Sequence, residues 1–312
     1  MLSRRFIRIK VLKTLYGYLN AGGGLADLAT KELMFSLHKT YELYGYFLVL
    51  PIALADYAAQ QIALGKQKQR PCEEEKNPNT KFADNTFVQL LRETAPLQAW
   101  AQQEKMLWSK DVLKKLYHKI LSTPYYQQYM ARAERSLSED KLLITKILEY
   151  SIEDNEDIYA WIEEQSIYWV DDIEYCLSHA IRTLKSFVSH GKNELLPDYK
   201  DKDDKEFVER LFSNAVVNYK EYRDLVDKHA KNWDVERVAF MDIVAMVAAI
   251  AEITTFANIP IKVSLNEYIE IIKYYSTPNS CNFINGVLDK IVADLQSQHK
   301  IEKTGRGLVD MQ

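Results

Sequence analysis

Residues that interrupt a helix are rare in this chain, and between them apolar side chains recur at helical spacing. Of 312 residues only 10 are glycine and 8 proline, while leucine, alanine, lysine, glutamate and tyrosine recur at intervals of three and four. That pattern predicts an all-α protein. Apolar residues make up 47% of the chain and charged residues 27%, enough of each for a real core beneath a solvated surface. The length suits one large domain or two ordinary ones. No fixed-period repeat is visible, which argues against a helical solenoid.

The spacing predicts a first helix over 4–20, stopped by Gly22, Gly23 and Gly24, which hold helical geometry poorly. A second pattern runs from Leu25 to Leu50, where Pro51 kinks or restarts it, and on to about Leu64. Residues 65–85 combine glycine, two prolines and blocks of charge, and read as the clearest loop. Helices are expected at 86–104, 109–121 and 124–150, the last broken near Ser136–Ser138, and a long pattern covers 157–189. After a polar break at 190–204 come 205–217, 219–230, 234–256, 264–275 and 279–295, followed from about 297 by a polar segment expected to be a mobile tail.

The longest apolar stretch, Val238–Ile253, contains Asp242 and Glu252 and is shorter than the ~20 residues a bilayer span needs. It reads as a buried core helix, and no membrane association is expected. The start is basic but has no apolar signal region or cleavage site. Cys72, Cys176 and Cys281 are far apart and odd in number, so neither a disulfide framework nor a zinc site is expected, and a reducing, cytoplasmic setting fits.

A net charge of −4 gives no global pull toward nucleic acid, so any such site must be a local basic patch. The first ten residues supply one, with Arg4, Arg5, Arg8 and Lys10 and no acid. At 100° per residue the arginines share an azimuth with Leu12, Leu15 and Leu19. Leucines there read as core, and arginines cannot follow them inward unpaired. Their guanidinium groups should therefore sit beside a folded surface, suited to phosphate contact; the plainer alternative is a solvated basic start pairing with nearby acids.

Near the other end, Pro260 blocks helix continuation, and Ser264 with Glu267 three residues later forms a capping-box pattern. Asn279 or Ser280 can cap a last helix carrying Phe283, Val287, Leu288 and Ile291 on its apolar side. Asn285 and Gly286 within that helix are poor helix formers, and the glycine implies close approach by another backbone or a ligand.

The stretches IPIKVSLNEYIEIIK (259–273) and NFINGVLDK (282–290) resemble the C-terminal signature of the NusB family. Trp233, Arg237, Asp242 and Glu252 fit its upstream positions, and Phe207, Leu211 and Asn218 its preceding helix. At the front, SRRFIRIKVLKTLYGYL (3–19) is similar to the family's arginine-rich start. The resemblance implies an all-α, NusB-like helical bundle of two packed subdomains with the N-terminal half elaborated by extra helices. The division expected is 1–200, 201–296 and a tail at 297–312. It further implies an antitermination factor that binds boxA-like single-stranded RNA of nascent rRNA transcripts together with the ribosomal protein NusE, within an RNA polymerase antitermination complex. Arg4, Arg5, Arg8 and Tyr16 fall on family positions of the first helix, and Asn279, Ser280 and Phe283 on those at the start of the last. Lys10, Asn282 and Asn285 lie in the same two segments and complete the expected RNA-facing set. Phe6 replaces a third arginine, and Cys281-Asn282 the commoner His-Lys; Asn279 replaces an acid. The lost cations motivate the rival reading, a protein-interaction scaffold on the same fold without RNA binding.

The chain between about 21 and 200 exceeds the family's length by well over a hundred residues. Its Trp100, Trp108, Trp161 and Trp169 and its many tyrosines read mostly as core, with a minority free to form a protein-binding face. Catalysis finds no motif: the six histidines are scattered, and no HExxH, GxSxG or phosphate-cradling glycine loop is present. No metal or cofactor is expected. A methyltransferase reading, drawn from enzymes that carry this helical fold ahead of their catalytic domain, lacks room for a cofactor-binding sheet after 295.

Overall fold

The computed structural model describes residues 1–104, 108–152, 155–230 and 238–310. Among these the chain is helical, and the nearest thing to a strand is an isolated parallel bridge between Leu2 and Tyr199. The helices are α1 (Arg4–Asn20), α2 (Ala26–Lys66), α3 (Glu73–Lys76), α4 (Thr86–Glu93), α5 (Ala95–Glu104), α6 (Lys110–Leu121), α7 (Pro124–Ala131), α8 (Leu137–Ile147), α9 (Glu156–Gln165) and α10 (Ile173–Ser186). They continue with α11 (Asp204–Val217), α12 (Tyr219–His229), α13 (Phe240–Thr255), α14 (Ile261–Tyr275) and α15 (Ser280–Ser297). A π-helical turn follows α8 at Leu148–Ile152, and a 3-10 turn lies at Gly305–Asp310. Trp233 and Arg237 fall outside the described residues.

Two compact units emerge. One comprises Met1 with His38–Asp198, the other Leu2–Leu37 with Tyr199–Gln312. The opening helix, expected within a 1–200 subdomain, belongs with the C-terminal helices. α2 begins in one unit and continues in the other.

The second unit is organised around α13. Every residue from Asp242 to Ile253 is buried, as befits a helix apolar on all sides. α1, α11, α12, α14 and α15 all pack on it. α1 starts where Ser3 Oγ accepts the Phe6 amide and ends at the glycine run, where Gly22, Gly23 and Gly24 have φ of 82°, 83° and 155°. Those left-handed values suit glycine and explain the stop.

Of the expected mobile tail, the described part, 297–310, folds back onto the unit. Ile301 is buried, the Thr304 amide donates to Ala257 O at 2.9 Å, and Lys303 Nζ donates to Ile253 O and Phe256 O, both at 2.9 Å. The lysine satisfies carbonyls left open at the end of α13. Gly307 lies so close to this turn that a Cβ there would stand 2.0 Å from Ala257 O. Polar composition suggested a solvated tail; the side chains reach back onto a helix end instead.

In the first unit α2 stays helical through Pro51, because Phe47, Leu48, Leu50, Leu54 and Ala55 bury one flank on both sides of it. By length and composition α2 is the one helix among the described residues that could cross a membrane, yet 44% of its apolar window is buried inside the fold. Its Thr40 donates to Asp172 at 2.6 Å, the packing of a core helix. Trp108 and Trp161 stack at 4.8 Å, and Tyr46 lies edge-on to Trp108, Trp161 and Trp169. The indoles of Trp108 and Trp169 donate to Tyr46 O and Lys39 O at 2.9 and 2.6 Å, which satisfies their N–H groups inside the core. The stretch 157–189, expected as one pattern, breaks between α9 and α10 as the chain turns to seat Trp169. The 65–85 loop is more anchored than its composition implied: Lys81, Phe82 and Asn85 are buried, and Lys81 Nζ donates to Tyr129 O and Arg132 O, each at 2.8 Å.

Candidate nucleic-acid interface

Arg4, Arg5 and Arg8 project from the first turns of α1 toward three different elements, and each meets a carboxylate. Arg4 Nε donates to Asp204 at the start of α11 at 3.0 Å. Arg5 grips Glu267 of α14 through two bonds of 2.8 and 2.7 Å. Arg8 grips Glu252 of α13 through two bonds of 2.7 Å, and Ser264 adds a third donor to that carboxylate at 2.7 Å. The guanidinium groups of Arg4 and Arg8 also lie 5.1 and 5.5 Å from the Phe207 ring centre. The acids are 200, 262 and 244 residues away in sequence.

Burial separates the three. The Arg8 side chain is 4% exposed and Glu252 is fully enclosed, whereas Arg4 is 32% and Arg5 55% exposed. Burial alone would pull the Arg8 pKa down; the bonds and charge of Glu252, with Glu267 nearby, outweigh it and hold the cation above its usual value. Tyr268 is enclosed beside this pair, and burial, then the Glu252 charge, push its hydroxyl far above the ordinary tyrosine pKa. Glu267 shifts the other way. The Arg5 bonds, set against partial burial, hold its carboxyl below the usual range.

Part of the expected RNA-facing set lies inside the fold. Arg8 and Lys10 are buried, at 3% and 5% exposure, so neither is on the surface. Lys10 Nζ lies 5.6 Å from the Phe6 ring within the same helix. Phe283 of the same set is 6% exposed, and Ser280 at 2% donates to Asp242 Oδ2 at 2.7 Å. The capping box does not form either. α14 begins three residues earlier, with Pro260 as its cap, and Ser264 and Glu267 are consumed by Glu252 and Arg5.

What remains on the surface lies along α1, α14 and the start of α15. Arg5 faces Glu267, and eight residues further on along both helices Lys13 lies 5.2 Å from the Tyr275 ring, so α1 and α14 run side by side in the same direction. Tyr16 is half-buried against Phe240, ring centres 5.4 Å apart. Asp242, also accepting from Ser276, ties the end of α14 to the start of α15. Asn279, Asn282 and Asn285 are exposed there. Asn285 donates to Asp289 at 3.1 Å. The Arg5–Glu267 grip uses two of the five guanidinium donors, leaving others for a phosphate. The strip thus offers cation edges at one end and amides at the other. Lys13 and Tyr275 escaped the sequence reading; their identical offset from Arg5 and Glu267 becomes informative only once α1 is placed beside α14.

Fold and site together define an all-helical protein in which a cationic opening helix is clamped onto a C-terminal helical bundle. The NusB family model matches residues 180–293. The transcription antitermination protein NusB of Salinibacter ruber is 41% identical over 116 residues, 37% of this chain and 72% of that protein. Its namesake in Chloroherpeton thalassium is 39% identical over 118 residues, 38% of this chain and 54% of that one. In Natranaerobius thermophilus the figures are 30% over 108 residues, 34% and 78%. No solved structure matches the chain. The chain belongs to the NusB family, and so stands among transcription antitermination factors.

Proposed function

We propose that this protein binds boxA-like single-stranded RNA of nascent rRNA transcripts together with the ribosomal protein NusE, in the cytoplasm, as part of an RNA polymerase antitermination complex. The observation that carries the reading is the strip along α1, α14 and α15, where the half-exposed Arg5, the partly exposed Arg4 and the amides of Asn279, Asn282 and Asn285 share one unit with the family-matched helices. Guanidinium edges suit phosphates, and amides suit the edges of splayed bases. Arg8 acts by holding α1 against α13.

The test is binding of a fluorescent boxA-type RNA to the protein mixed with NusE across a salt series. The affinity should fall with a slope of roughly 0.7 per phosphate contact. Arg5→Ala should remove about one such contact and flatten the slope by about that amount. A second reading, the protein-interaction scaffold without RNA binding, is favoured by the carboxylate found at every one of the three arginines. NusE capture with no salt-sensitive RNA affinity would establish it in place of the first.

A further inference from the structure

Tyr274, in the last turn of α14, is 85% exposed, the most exposed large apolar side chain among the described residues. Leaving an aromatic ring this open forfeits the burial that other rings in the protein obtain. Tyr275, the next residue, shows the contrast, being half-buried beneath Lys13. The packing of the unit gives Tyr274 no role.

Its placement gives one. Glu267, Glu270 and Tyr274 follow one another at i, i+3 and i+7 and so share a face of α14. Arg5 reaches that face by gripping Glu267. At 1.5 Å per residue, Tyr274 then lies roughly 10 Å further along the helix from the Arg5 contact. Lys13 flanks it across Tyr275, and exposed Thr277, Pro278, Asn279 and Asn282 follow in the turn and the start of α15.

The chemistry around the ring selects among occupants. An anchor for a protein partner needs an apolar surround that excludes water. Here the neighbours are the Lys273–Glu270 ion pair and a polar turn. A phosphate is disfavoured at this point, because two carboxylates stand on the same face, each already holding a cation. A nucleobase is neutral, needs only a π-face to stack on, and finds amides nearby for its edge.

We propose that Tyr274 is a stacking platform for one unpaired base, with Arg5 taking a neighbouring phosphate; this rests on the RNA-binding reading above and names a residue for it. The platform lies outside the aromatic position expected from sequence, Phe283, which is 6% exposed.

The experiment compares wild type, Tyr274→Ala, Tyr274→Phe and Arg5→Ala, each with NusE, for affinity toward boxA-type RNA at several salt concentrations. It adds photo-crosslinking of wild type to the same RNA carrying 5-iodouracil at successive positions. A stacked base is worth a loss of about 5- to 150-fold on Tyr274→Ala. Tyr274→Phe should stay within about twofold, since the ring face is kept. The salt slope of Tyr274→Ala should match wild type, because no phosphate contact is lost, and one iodouracil position should crosslink to Tyr274. Unchanged affinity in Tyr274→Ala beside a weakened Arg5→Ala would overturn the platform while leaving RNA binding in place. Equal losses in the Phe and Ala variants would overturn stacking as its basis. Absence of RNA binding by wild type would overturn both the platform and the reading beneath it.

Discussion

Replacing Arg8 by alanine isolates the role of the one arginine that the fold encloses. The change removes both 2.7 Å bonds to Glu252 and leaves that carboxylate at 0% exposure, with the Ser264 hydroxyl still donating to it. Breaking a buried pair from one side costs about 3–5 kcal/mol, because the surviving charge is stranded away from water. At about 2–4 °C per kcal/mol for a unit of this size, melting should fall by roughly 6–20 °C. Arg5→Ala removes an equally well-formed pair at the surface and should cost only about 0–1 kcal/mol. Removing both charges, with Arg8→Met and Glu252→Gln together, should recover most of the loss, since neither partner is then left ionised. Calorimetric unfolding of the four proteins reads these differences directly, and RNA binding below each melting temperature supplies the complement. The reasoning fails if Arg8→Ala melts within about 2 °C of wild type while losing salt-sensitive RNA affinity, for Arg8 would then be a phosphate ligand that swings outward.

Two further perturbations test the account at other points. Lys303→Ala leaves the Ile253 and Phe256 carbonyls without their lysine donor and should destabilise by about 1–3 kcal/mol, with faster proteolysis after residue 297; unchanged unfolding and cleavage would return the segment to the status of a tail. Glu267, whose folded pKa is depressed, stabilises at pH values above the ordinary carboxylate range and loses that contribution as pH falls through and below it. Urea midpoints of wild type should therefore exceed those of Glu267→Gln at pH 7 and converge with them near pH 3, and a constant gap would refute the pairing.

Where structure is written locally, the sequence reads well. Ser3 and the three glycines bound α1, and the apolar run of α13 and the pattern of α15 emerge nearly as spaced. The all-helical fold and the NusB relationship were both legible, the latter from a collinear C-terminal match over roughly 205–295 and the opening segment 3–19. What escaped depended on distant partners. An arginine at position 8 cannot announce that Glu252 lies opposite it; the shared azimuth set Arg8 on the leucine stripe, but without a visible acid it was expected beside a folded surface rather than buried. The pairing with acids that was weighed as the plainer alternative does occur, though between residues far apart in the chain rather than near neighbours. Ser264 and Glu267 satisfied a capping pattern by sequence, yet both side chains serve α1 and α13. Lys81 and Lys303 likewise sit in polar stretches that read as loop and tail, because a lysine that caps a remote helix end looks the same in sequence as a solvated one.

Hydrogen–deuterium exchange on the protein with NusE, recorded with and without boxA-type RNA, locates the binding surface without altering a side chain. Slowed exchange on RNA addition, confined to residues 1–17 and 267–285, is the predicted result. Protection falling instead within 38–198, or none at all, would contradict the placement of the RNA along α1, α14 and α15.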